Sequence, residues 1–143
     1  MPAVQTSYSE NQGALRVGQI VDTTDNTLIS RNVEVAALGF GLPVVQGADD
    51  RGAWKAKTGD TKILGITVRE RSQENDEWAV GDTARIMTKG TIAVTASVEV
   101  SAGDPVTVVV ATAAFSNTGG VAIPNATYQT SGGVGDVVEV KLA

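Results

Sequence analysis

The sequence predicts an all-β fold, a small β-barrel or β-sandwich of short antiparallel strands with an extended N-terminal arm. Three observations predict it. Valine (21), isoleucine (7) and threonine (16) far outnumber leucine (6). Two heavy atoms on Cβ suit a pleated surface and cost rotamer freedom in a helix. Short apolar runs are separated by turns rich in Gly, Pro and Asp, which is how strands are punctuated. A Gly-Asp turn followed by a strand also recurs: Val80-Gly81-Asp82-Thr83-Ala84-Arg85-Ile86, Ala102-Gly103-Asp104-Pro105-Val106-Thr107-Val108 and Val134-Gly135-Asp136-Val137-Val138-Glu139-Val140. Glycine takes the positive-φ position without a Cβ penalty, and the aspartate is expected to accept a backbone N–H in an Asx turn. The glycines are 22 and 32 residues apart, so the repeat is not a solenoid of fixed period.

The 143 residues suit one domain with an arm, divided as residues 1–18 and 19–143. Residues 1–18 are rich in Ser, Thr, Gln, Asn and Glu and have neither helical nor strand periodicity. Such a segment buries too little apolar area to order itself. Read blandly, it is a frayed terminus. Read functionally, it orders on a partner, with Pro2, Val4, Tyr8, Leu15 and Arg16 as the candidate contacts.

The body starts at Gln19. Asp22, Asp25 and Asn26 offer oxygen ligands, but the calcium-loop spacing is absent, so a turn is expected there. Thr27–Val35 reads as one or two short strands. Gly39-Phe40-Gly41 is a turn that feeds a strand at Pro43-Val44-Val45, with the proline at its start or on an edge. The third glycine of a dinucleotide fingerprint is missing, because position 44 is Val44, and no helical pattern follows. Asp49-Asp50-Arg51-Gly52 is a turn. Ile63–Val68 is a strand whose central Gly65 implies a bulge or close packing. The charged stretch Arg69–Glu77 reads as a solvated loop, after which Trp78 pins the chain back to the body. Met87-Thr88-Lys89 is read as a hairpin with a simple surface lysine, because it lacks the dipeptide of a lipoyl or biotinyl turn.

What is missing excludes most chemistry. There is no cysteine, hence no disulfide, thiolate nucleophile or Cys-ligated zinc. There is no histidine, hence no Ser-His-Asp triad and no imidazole base or ligand. Asp49-Asp50 and Asp76-Glu77 are adjacent carboxylates, but neighbours on extended chain point to opposite sides and so build no acid–base pair. No catalytic residue, metal or cofactor is therefore expected. A net charge of −5 argues against nucleic-acid binding. The most apolar stretch, Val106–Phe115, is broken by threonines and too short to span a bilayer, so no membrane partner is expected. Residues 1–10 have no basic region leading into an apolar one, so folding in a cytosol is expected. Asn125-Ala126-Thr127 is then a chance match to a glycosylation sequon.

Two features suggest packing against other proteins instead. After Gly90 only Glu99, Asp104, Asp136, Glu139 and Lys141 are ionic. A sheet surface so poor in charge suits contact with another protein, although a neutral Thr/Ser/Asn surface would also be soluble. Trp54, beside Lys55 and Lys57, is too isolated to be a stacking platform and is a candidate core or interface aromatic.

An ordered set of segments resembles a known family. It comprises residues 1–12 (MPAVQTSYSENQ), Gly18-Gln19-Ile20-Val21-Asp22, Ile29-Ser30-Arg31, Gly39-Phe40-Gly41-Leu42-Pro43-Val44, Ile63–Glu70, Val80-Gly81-Asp82, Gly90–Val94 and Ala102–Val106. Together they resemble the structural cement, or capsid decoration, proteins of tailed bacteriophages. The resemblance implies a non-enzymatic protein on the outer capsid surface of the virion, made in the host cytoplasm. It implies the major capsid protein as partner, self-association as a homotrimer, bridging of neighbouring capsid subunits and stabilisation of the shell, with no small-molecule substrate. The alternatives are another virion part, such as a tail-tube or head–tail joining protein, and a virion-displayed carbohydrate-binding β module using Trp54 or Trp78.

Overall fold

In a computed structural model of the chain, residues 16–57, 59–69 and 77–142 are described, residues 22–25 by their backbone only. Every regular element among them is a strand. In chain order these are β1 (Ile20–Val33), β2 (Leu38–Gly39), β3 (Pro43–Gln46), β4 (Gly52–Lys55), β5 (Gly65–Thr67) and β6 (Glu77–Trp78). There follow β7 (Thr83–Thr95), β8 (Pro105–Val109), β9 (Ala114–Ser116), β10 (Val121–Tyr128) and β11 (Val137–Leu142).

Two long strands organise the body. β1 and β7 pair antiparallel from Ile20 opposite Ile92 to Asn32 opposite Thr83. From β1 the pairing passes to β4, β3, β5 and β7, and β7 returns to β1, so these five strands close a small barrel. β7 also pairs with β11 (Val137 opposite Thr95 to Leu142 opposite Gly90), and the sheet continues through β10, β8 and β9. A parallel bridge between Ala96 and Phe115 sets β9 beside the end of β7. One strand is thus shared by two halves of the molecule.

Successive side chains on a strand point to opposite faces, and β7 uses both faces. Ile86 enters a smaller core with Val33, Leu38, Phe40, Val44, Ala53, Trp78 and Ala84. Its neighbour Met87 enters the larger core, which includes Ile66, Ile92, Val94, Val106, Val108, Phe115, Tyr128 and Val140. Trp78 is fully buried, edge-on to Phe40 with ring centroids 4.8 Å apart. It does pin the chain back to the body, here by pairing Leu38 through β6.

Several local expectations change. β1 is a single strand of 14 residues, not one or two short ones. The turn expected at Asp22–Asn26 is an excursion inside it: Asp22 pairs with Thr91 and Thr27 with Lys89, so β1 carries three residues more than β7 between those rungs. Met87-Thr88-Lys89 is no hairpin but the middle of the 13-residue β7, with Lys89 opposite Thr27. One pair, β1–β4, is parallel. Of Ile63–Val68 only Gly65–Thr67 joins the ladder, while the N–H groups of Leu64 and Val68 bond the carbonyls of Val44 and Arg85. The reading of Gly65 as a close approach holds, because a Cβ there would lie 2.4 Å from the Met87 carbonyl oxygen. The charged loop expected before Trp78 falls mostly on residues 70–76, outside the described residues.

The Gly-Asp turns immediately precede β7, β8 and β11 as expected, but their aspartates act backwards. Each accepts the N–H three residues earlier: Ala79 to Asp82 Oδ2 (2.9 Å), Ser101 to Asp104 Oδ2 (2.9 Å) and Gly133 to Asp136 Oδ2 (2.8 Å). The aspartate N–H in turn donates to the carbonyl of that same residue at 3.0–3.1 Å. This reciprocal pair closes the turn, with Gly81, Gly103 and Gly135 at φ of 94°, 95° and 85°. A fourth copy occurs where Lys57 N–H donates to Asp60 Oδ2 at 2.8 Å, with Gly59 at φ 98°.

Candidate functional site

Pro2, Val4, Tyr8 and Leu15 lie outside the described residues. Arg16 is exposed, and its N–H donates to the Gln19 side-chain carbonyl at 3.0 Å. The next two residues, assigned to the arm from sequence, are stitched to the body. Gly18 N–H donates to the Ala93 carbonyl (2.8 Å), and its own carbonyl accepts from Arg69 N–H (2.7 Å). The Val17 carbonyl accepts from Arg69 Nε at 3.0 Å. Gly18 has φ +83°, and a Cβ on it would meet Gly41 N and Phe40 Cβ at 2.9 Å. Among the described residues, the chain is joined to the body by a backbone clip at residues 17–18, where a glycine allows two strands of chain to approach closely.

Trp54 lies on β4, half-buried against the larger core. Lys57 Nζ stands 3.9 Å from its ring centroid and 3.6 Å from Asp60 Oδ1. The cation, held by the reciprocal turn at Asp60, thus covers one face of this aromatic.

The charge-poor half is β8 to β11. Val98, Val110, Val121 and Ile123 are partly buried against the larger core, while Val109 and Val134 are exposed. Asn125, at φ +60°, sits in an irregular stretch of β10 between the rungs Ala122–Thr107 and Thr127–Pro105. Polar groups pin the base of this half. Tyr128 Oη donates to the Ser116 carbonyl at 2.8 Å, and Asn117 Nδ2 donates to Asp104 Oδ2 at 3.0 Å. The Asn117 amide and the Ser101 N–H hold the Asp104 carboxyl below its ordinary pKa. Burial, with the Asp104 charge nearby, pushes the Tyr128 phenol up to about 12.

The adjacent carboxylates do not form a site. Asp49 and Asp50 are exposed in the turn before β4, where their carbonyls accept from the Gln46 amide and the Asp50 carbonyl also from Arg31. Glu77 is exposed on β6, and Asp76 lies outside the described residues. Among the described residues no three acidic side chains are grouped as metal ligands. Gly39-Phe40-Gly41 is turn and packing chemistry: Gly41, at φ +65°, faces Val17.

Sequence reasoning missed two exposed valines. Val35 is 74% exposed and Val80 56%. Val35 has φ +72°, and Ala36 N–H donates to the Glu34 carbonyl across it at 2.8 Å. This is the rare γ-turn of positive φ, which a β-branched residue adopts only under strain. No sequence signal marks it, since valine there reads as the end of a strand.

The comparisons with known proteins agree on the kind of body this is. Over 99% of its length the chain superposes on 98% of a chain in the capsid of Myoviridae phage XM1, with TM-score 0.78 and 16% identity. Over 82% of its length it superposes on 94% of the N base of the head fiber gp8.5 of bacteriophage phi29, with TM-score 0.56 and 10% identity. At these identities the likeness is one of fold. No curated protein sequence matches the chain. The family described as structural cement protein (E217 gp24/Pam3 gp6) matches residues 4–143. With that match over nearly the whole chain, this protein belongs to the phage structural cement family and has a capsid-associated structural role.

Proposed function

We propose that the protein binds the outer surface of the phage head, bridges neighbouring major capsid subunits and stabilises the shell, acting as a homotrimer. The observation that carries this reading is the family match over residues 4–143. It is supported by the charge-poor half of the body, with exposed Val109 and Val134, which suits repeated contacts around a three-fold axis. It is also supported by the clip at residues 17–18, which would let an N-terminal arm transmit load into both β7 and the turn at Gly41. The arm, with Pro2, Val4, Tyr8, Leu15 and Arg16 as contacts, is the segment that orders on the capsid. Each trimer engages several subunits at once, so modest contacts suffice.

The role is non-enzymatic: it rests on packing and on the number of copies. Trp54, braced by Lys57, is an interface residue in this reading. Adding purified protein to heads that lack it tests the proposal, with electron microscopy of the decorated particles. Density at repeated positions over the whole outer shell supports it. Density at a single vertex would make the protein a connector, and a bound head no more stable than a bare one would remove the cementing role.

A further inference from the structure

We infer that the tip formed by residues 34–37 and 79–81 is a docking knob for an apolar socket with a basic rim on a capsid subunit. The inference rests on the capsid-binding reading above and names a contact surface for it.

The two segments run side by side between two sets of backbone bonds. On one side Leu38 pairs with Trp78 and Gly39 with Glu77. On the other Gly81 N–H donates to the Val33 carbonyl and Val33 N–H to the Asp82 carbonyl, both at 2.9 Å. Between these rungs Val35, Ala36, Ala37, Ala79 and Val80 are all exposed. The base is rigid, because Val33, Leu38 and Trp78 belong to the buried smaller core. The strained γ-turn holds the Val35 side chain outward, and such strain persists only where the surroundings impose it. A valine here is costly for the isolated protein: glycine would relieve the strain, and the side chain buries almost nothing within the chain.

Charge identifies the occupant. Glu77 and Asp82, both exposed, flank the apolar tip, while Glu34 turns its carboxylate inward against Gly47 and Gly52. No lysine or arginine occurs in residues 32–50 or 77–84. The complement of an apolar tip in an acidic collar is an apolar recess edged by lysine or arginine. Opposed charge at the rim would set orientation and on-rate, while the valines would supply the desolvated contact.

The test measures binding of the full-length chain to heads of its own phage that lack it. Val35→Gly/Val80→Ser alters only exposed side chains and relieves the strain at Val35, so its circular dichroism should match wild type and its melting temperature should be equal or higher. Its binding should weaken roughly tenfold or more. Glu77→Lys should bind more weakly and lose part of the wild-type salt dependence. If both variants bind like wild type while loss of residues 1–15 abolishes binding, the knob is overturned and the capsid-binding reading stands. If wild type itself fails to bind heads, that reading fails. If Val35→Gly/Val80→Ser instead shifts the sedimentation of the free protein to a smaller species, the tip packs on a second copy and the capsid socket is overturned.

Discussion

At the residue scale, the strongest local commitments are Trp78, Gly65 and Tyr128. Trp78 fills the smaller core edge-on to Phe40, so Trp78→Ala should lower stability by about 3–5 kcal/mol, read from denaturant unfolding. Tyr128 gives a pH prediction. Its phenol is pushed up to about 12, so the folded state favours the neutral form. The unfolded chain releases that proton near pH 10, so from about pH 10 to 12 the unfolded state binds fewer protons and stability falls as pH rises. Below pH 10 the contribution is fully present. Tyr128→Phe should lose about 1–2 kcal/mol at neutral pH, with the Ser116 carbonyl left unpaired, and should fall less steeply than wild type between pH 10 and 12. An equal slope for both proteins in thermal melts would show that Tyr128 does not titrate this way. Trp78 and Gly65 are legible in the sequence, since a lone tryptophan after a charged run and a glycine within an apolar strand each have few roles. Val35 is not legible: its positive φ is imposed by the rungs on either side, which join residues about 45 apart in sequence.

At the element scale, the turn that opens β11 carries a second prediction. Asp136 closes it by accepting Gly133 N–H at 2.8 Å. Asp136→Ala removes one half of the reciprocal pair and should lower the melting temperature by roughly 2–6 °C without changing strand content. An unchanged melting temperature would mean that glycine alone shapes the turn. The Gly-Asp pattern located the starts of β7, β8 and β11, because the turn's geometry is local. It did not show the direction of the carboxylate bond or the copy at Lys57–Asp60, which no strand follows at once. The lengths of β1 and β7 were also hidden. Gly90 sits in the middle of β7 at φ 129°, a conformation that a residue with a Cβ adopts only under strain. The parallel β1–β4 pair is set by contacts 20 residues apart in sequence and has no local signature.

At the scale of the whole molecule, the all-β class was legible from the β-branched excess and the turn chemistry. The closure of five strands into a barrel was not, because it depends on β7 returning to β1. Residues 17 and 18 share the composition of the N-terminal segment, and their backbone groups pair with Ala93 and Arg69. Removal of residues 1–15 keeps that clip, so the truncated protein should melt within a few degrees of full length while binding heads more weakly. Equal binding would show that residues 1–15 do not contact the capsid.

If this body holds a capsid together, it shows in the temperature at which purified heads lacking the protein release their DNA, with and without it added back. Added protein should raise that temperature in a saturable way, levelling off once the shell-wide sites are filled. Saturated heads that release their DNA at the same temperature as bare ones would contradict it.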